Sequence, residues 1–134
     1  MIQIGDTHEV VFSITQEQVN TFAQISGDQN PVHIDPEYAA QTSFKKPVVH
    51  GIFGSSIFSR ILGMEFPGPG TVYLKQQLDF RRPLFPDTEY KATVKVVEVF
   101  ESRHIARLET TVVDIARGKP HITGEATVMN AEKI

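Results

Sequence analysis

An acid and a histidine stand five residues apart in a turn-rich stretch, at Asp28 and His33. Gly27-Asp28-Gln29-Asn30-Pro31 is dense in turn formers, so it is expected to be a loop. A loop leaves both side chains free to aim at one point. A carboxylate beside an imidazole can hold one water and take a proton from it. The same residues also serve ordinary turns, because Asp28 can cap one and Asn30-Pro31 can start one. Spacing alone leaves both readings open.

Composition narrows the chemistry. The 134 residues include no cysteine, which removes disulfides, thiolate metal sites and a cysteine nucleophile. A formal net charge of -3 offers no broad cationic surface to replace phosphate counterions, so nucleic acid is not an expected partner. Hydrophobic residues at 40% and charged residues at 22% suit one soluble domain spanning residues 1–134. The most apolar stretch, Pro47 to Met64, is interrupted by His50, three serines and Arg60, which is too polar for a membrane span. Met1 to Val10 carries Asp6 and Glu9 and has no apolar run, so it does not read as a signal peptide. A cytoplasmic protein is the expectation.

The elements that must position Asp28 and His33 can be read on either side of them. His8 to Ile14 is rich in Val, Phe and Ile and reads as a strand. Thr15 with Gln18 three residues later is a capping-box pattern that predicts a helix from Gln16, stopped at Gly27. Asp35-Pro36 predicts a short helix through Gln41. Pro47 to Met64 reads as one buried helix, because it is apolar nearly all round. On it Gly51, Gly54, Ser55, Phe58, Ser59 and Leu62 share one face, and four of these six are Gly or Ser. That low face lets something approach closely: a tightly packed sheet or a ligand. Thr71 to Phe80, Glu89 to Phe100, Arg103 to Ala116 and His121 to Asn130 are β-branched and often alternating, as strands are. One buried helix followed by four long strands, with one strand before it, predicts an α+β fold in which an antiparallel sheet wraps round the helix.

The run from Phe22 to Ala39 resembles the signature of the MaoC-like hydratases, in particular the R-specific enoyl-CoA hydratases. Phe22, Ile25, Ser26, Gly27, Asp28, Asn30, Pro31, Val32, His33 and Ala39 fill its positions. The resemblance continues through Val49-His50-Gly51, Leu78-Asp79-Phe80-Arg81-Arg82-Pro83 and Asp87-Thr88, and so covers most of the chain. It implies a hot-dog fold, a homodimer, and reversible syn hydration of a trans-2-enoyl-CoA to the (R)-3-hydroxyacyl-CoA. No metal or redox cofactor is implied. Asp28 and His33 match the family's catalytic pair, and Gly51 matches the glycine whose N–H binds the thioester oxygen.

Other residues carry weaker expectations. Asn30, Ser55, Ser59 and Leu62 are candidates to meet the substrate. Ser59 either bonds its own helix backbone or reaches Asp28 or the ligand. Lys45, Lys46, Arg81 and Arg82 are candidates for the CoA phosphates, and such charge pairs are otherwise solvated surface. His50, next to Gly51, either contacts the substrate or, as the favoured reading, caps or packs. Competing functions are the dehydratase direction on an acyl-carrier-protein thioester, a hot-dog thioesterase, and a non-catalytic acyl-thioester-binding protein.

Overall fold

The computed structural model describes residues 1–134. The chain runs β1 (Thr7–Phe12), α1 (Gln16–Ser26), α2 (Pro31–Ile34), α3 (Pro36–Ala40), α4 (Gly51–Arg60), β2 (Val72–Phe80), β3 (Tyr90–Phe100), β4 (Ile105–Asp114) and β5 (Pro120–Met129). Thr15 Oγ1 accepts from Gln18 N while the Gln18 side chain accepts from Thr15 N, which closes the expected capping box. Gly27 ends α1 in the left-handed region at φ 80°. Asp35 caps α3 by accepting from the amides of Glu37 and Tyr38.

The five strands form one antiparallel sheet in the order β1-β3-β4-β5-β2. Its inner face carries the residues expected from alternation: Ala92, Val94 and Val96; Ala106, Leu108 and Val112; Ile122, Ala126 and Val128. They close over Ile57, Phe58, Ile61 and Leu62 of the central helical segment in a core of 18 buried residues. This is the hot-dog arrangement. Phe58 is fully buried, so truncating it to alanine would cost about 3–5 kcal/mol. A Cβ at Gly124 would collide with the Gln77 carbonyl, so glycine is what lets β2 lie against β5 there. The outer edge of β2 pairs with nothing, and Val72, Tyr73, Leu74 and Phe80 are exposed along that strand.

Four expectations need correction. The central helix begins at Gly51 and not at Pro47. Val48 N donates to Val32 O at 3.2 Å and Val49 N to Leu84 O at 2.8 Å, so these amides are engaged sideways and the segment stays extended. At its other end the helix continues as a π-helical turn over Ile61–Glu65. Nor is the helix buried all round: Ile52 is 59% exposed, and Ser56 and Ser59 are open as well. Finally, the expected loop after Gly27 stops early. Asn30 Oδ1 accepts from Val32 N, Pro31 takes the first helical position, and His33 therefore sits on the short helix α2. The last strands are also trimmed, because Glu101–Arg103 forms a 3-10 turn and His104 is left-handed before β4 starts.

Candidate active site

The turn between α1 and α2 presents Asp28. Its N–H donates to Ser26 Oγ at 3.1 Å, and its Oδ1 accepts from Asn30 N at 3.3 Å. The side chain is otherwise free and exposed. His33, half-buried on α2, donates from Nδ1 to the Val48 carbonyl at 2.7 Å. A carbonyl can only accept, so the proton sits on Nδ1 and Nε2 keeps its lone pair. Burial holds the His33 imidazole below the usual histidine range. The Val48 carbonyl works against that shift, the neighbouring His50 adds to it, and Asp28 opposes it.

His50 lies directly behind. Its ring centroid is 3.8 Å from that of His33, with 27° between the planes. Phe22 meets its other side edge-on at 4.8 Å, and Phe53 stacks on Phe22 at 4.6 Å. Asp28, His33 and His50 each offer one donor atom within 4.8 Å of the other two. No direct hydrogen bond joins the Asp28 carboxylate to the His33 ring, which leaves room for a small molecule such as water to meet both.

The Gly51 amide opens helix α4 and donates to no group in the fold. It is therefore an unpaired N–H at the positive end of a helix dipole. A Cβ on Gly51 would lie 2.9 Å from two carbons of the Phe80 ring, so the absence of a side chain keeps this approach open.

Asn30, His33 and Gly51 line one cavity of about 560 Å³, walled by Val48, Val49, Phe80 and Leu84 and edged by Arg81 and Arg82. A second hollow of about 510 Å³ runs between α4 and β2, along Ser55, Ser56 and Ser59 on one side and Tyr73 to Gln76 and Leu78 on the other. Ile52 borders both. Burial pushes the Tyr73 phenol up to about 12, so it stays a neutral wall of the second hollow.

The residues singled out in the sequence are thus divided. Asn30, His33 and Gly51 converge at the first cavity, with Asp28 close behind His33, and Ser55 and Ser59 line the second. Ser55 Oγ donates to Ile52 O at 2.8 Å, whereas Ser59 bonds neither its own helix nor Asp28. Leu62 lies in the core and borders neither hollow. Arg81 and Arg82 edge the first cavity and are steadied by Thr123 Oγ1 and the Pro120 carbonyl. Lys45 and Lys46 do not line it, and Lys46 Nζ rests 4.6 Å over the Phe85 ring. His50 precedes the helix but makes no side-chain cap, so only the packing half of its expectation holds.

Residues 4–118 match the MaoC like domain family. The chain belongs to this family. Among MaoC-like relatives, an (R)-specific enoyl-CoA hydratase of Aeromonas caviae is 39% identical over 127 residues, spanning 95% of this chain and 94% of that protein. A mitochondrial 3-hydroxyacyl-[acyl-carrier-protein] dehydratase of Arabidopsis thaliana is 32% identical over 131 residues, covering 96% and 78%. The solved structure of the A. caviae (R)-hydratase involved in PHA biosynthesis shares the fold with a TM-score of 0.92 at 38% identity, over 96% of this chain and 97% of that one. The first cavity of this MaoC-like chain is bounded by three stretches of the family resemblance, Asn30 to His33, Val49 to Gly51 and Phe80 to Pro83. The apolar walls Phe44, Val48 and Leu84 were not singled out from sequence. Nothing in their local pattern separates a cavity wall from a core position.

Proposed function

We propose that this MaoC-like protein is an R-specific 2-enoyl-CoA hydratase. The observation that carries the reading is the meeting of Asp28 with neutral His33, beside an apolar cavity that His33 shares with the unpaired Gly51 amide. Asp28 and His33 hold one water between them. The water oxygen bonds to C3 of the enoyl thioester, and a proton from the same pair reaches C2 on the same face. The negative charge that develops in between lies on the thioester oxygen. A fixed N–H from Gly51 stabilises that charge more than it stabilises the substrate. The reaction consumes only water, so no metal or redox cofactor is required.

The rest of the substrate follows from these contacts. Asn30 braces the mouth. Arg81 and Arg82, at the rim, meet the CoA phosphates. The acyl chain passes Ile52 into the hollow along Ser55 and Ser59, with Leu62 packed beneath. The whole chain acts as one hot-dog domain. It works as a homodimer, because a second copy on the bare, partly apolar edge of β2 would pair backbone groups that are otherwise a liability. No helix is long and apolar enough to cross a membrane, which is compatible with a cytoplasmic site of action.

The same machinery run backwards dehydrates a 3-hydroxyacyl thioester, and the Arabidopsis relative keeps carrier-protein substrates in view. One assay separates these readings. Loss of enoyl-thioester absorbance is followed with several chain lengths, each on CoA and on carrier protein. Turnover of the CoA thioesters to the (R)-alcohol is expected. Turnover only on carrier protein would reassign the substrate. Binding without turnover on either would leave a non-catalytic acyl-thioester-binding protein.

A further inference from the structure

His50 is a buried, titratable side chain that the hydration chemistry does not use. It is 2% exposed. Its Nε2 donates to the backbone carbonyl of Asp28 at 2.9 Å, across 22 residues of chain. The other hydrogen bonds of residues 27–30 are local: Gly27 N to Ala23 O, Asp28 N to Ser26 Oγ, Gln29 N to Gly27 O, Asn30 N to Asp28 Oδ1, and the Asn30 acceptors to Val32 N and His33 N. The His50 bond is thus the one tie from this turn to the head of the central helix.

Packing alone does not explain a histidine here. Because the Asp28 carbonyl accepts, the proton lies on Nε2, and Nδ1 is left as a buried nitrogen with no partner. A buried nitrogen left without a partner is destabilising. A phenylalanine would fill the space between Phe22 and His33 without that cost. What histidine adds is a donor aimed at Asp28 together with a flat ring laid on His33.

We propose that His50 is the positioning residue of the Asp28/His33 pair: its Nε2–H fixes the main chain that carries Asp28, and its ring fixes the plane of His33. The proposal rests on the reading of Asp28 and His33 as the reactive pair. It couples their geometry to the helix that supplies Gly51, so all three groups keep one frame. His50 also disfavours a charge on His33. Protonation there would be met by His50 from the head of α4 and by Arg81 and Arg82 on the segment after β2, with the Val48 carbonyl and Asp28 in favour.

Two variants and one spectrum test this. His50→Phe keeps a ring and deletes the donor, whereas His50→Gln keeps a donor and deletes the ring. For His50→Phe, kcat should fall by about 10- to 100-fold with KM little changed, the scale of a misplaced reacting group. His50→Gln should recover part of that loss. In both variants the His33 imidazole, followed by NMR, should titrate at higher pH than in the parent. Equal losses in the two variants in step with lowered melting temperatures, or an unmoved His33 titration, would reduce His50 to packing. If neither variant folds, nitrogen chemical shifts of the unaltered protein decide. The Nε2–H tautomer at His50 and the Nδ1–H tautomer at His33 are required, and the opposite tautomer at either ring overturns the proposal. The NMR measurements do not need turnover, so an inactive parent would sink the hydratase reading while leaving the His50–His33 coupling open to measurement.

Discussion

Two histidine–aspartate neighbours flank the first cavity, and they are built in opposite ways. Behind its wall, His121 Nε2 meets Asp114 Oδ2 at 2.9 Å while Nδ1 meets the Pro83 carbonyl at 2.9 Å. The His121 carbonyl also accepts from the amides of Arg81 and Arg82. Asp114 accepts further from Arg117 N. The hydrogen bond from His121 chiefly holds the Asp114 carboxyl below the usual carboxylate range, helped by Arg117 N and against its desolvation. Every ring nitrogen of His121 is engaged, and both side chains are under a tenth exposed. In the other pair, His33 keeps Nε2 free, and the Asp28 carboxylate accepts only one long bond from Asn30. The same two residue types make a strut where all their hydrogen-bonding capacity is used, and leave groups available for the proposed reaction where some is left over.

The largest test of this contrast is at the free pair. Asp28→Asn and His33→Ala should each lose at least about 100-fold in turnover while melting near the parent temperature. The double variant should lose far less than the product of the two, as the proposed action of both groups on one water requires. Near-normal turnover by Asp28→Asn would end the contrast. Because burial lowers the His33 pKa, kcat/KM should hold through neutral pH and fall only below the ordinary histidine value of about 6.5.

The next effect is at the amide. Gly51→Val should cut turnover on the order of 10-fold or more by crowding the thioester, with the product still the (R)-alcohol. Part of that loss comes from the Phe80 ring, which a Cβ would meet at 2.9 Å. Adding Phe80→Ala removes that collision, and the loss that persists reports on the thioester itself. Chiral analysis of the product decides the point, and an (S)-alcohol would refute the shared-water geometry.

The strut should fail in the opposite sense. Asp114→Asn should lower the denaturation midpoint at pH 7 and spare turnover per folded molecule. A carboxylate whose folded pKa is depressed stabilises above its unfolded pKa and loses that contribution as pH falls through the folded value. The parent and Asp114→Asn should therefore converge in stability below about pH 4. Curves that stay parallel down to strong acid would show that the pair carries no such linkage.

The smallest effect is at the rim. Arg81→Gln or Arg82→Gln should raise KM for a CoA thioester about 2- to 5-fold, as partly exposed charges do, and leave a pantetheine thioester unaffected. Lys45→Gln and Lys46→Gln should leave both unchanged, since neither lysine reaches the cavity. An equal KM rise from the lysines would move the phosphate site.

Much of this arrangement is legible in the chain, and the illegible part has one physical origin. Thr15 with Gln18, Gly27, and Asp35 with Pro36 set their helix ends through neighbours within four residues. Alternation marks Ala92, Val94 and Val96 as inward because a strand has a strict period. The head of α4 was misread because Val48 and Val49 give their amides to Val32 and Leu84, partners that no local pattern reveals. The bond from His50 to the Asp28 carbonyl is illegible for the same reason, its partner lying 22 residues away. The reading of Asp28 and His33 as a reactive pair rests on family resemblance. Their spacing alone was equally good as a turn. The arginines and lysines look alike as charge pairs, and only the cavity separates them.

The bare edge of β2 would tie stability to mass action in the proposed homodimer. A second copy seated on Val72–Phe80 would bind the folded chain and not the unfolded one, so folding and association would become a single equilibrium. The melting temperature of such a protein climbs with total concentration, and dilution acts on it as a mild denaturant. The strand concerned is also a wall of the hollow along Ser55 and Ser59. Loosening of the pair on dilution would therefore reach the acyl chain before it reached Asp28 and His33, and preference among chain lengths would drift with enzyme concentration while the hydration step itself did not.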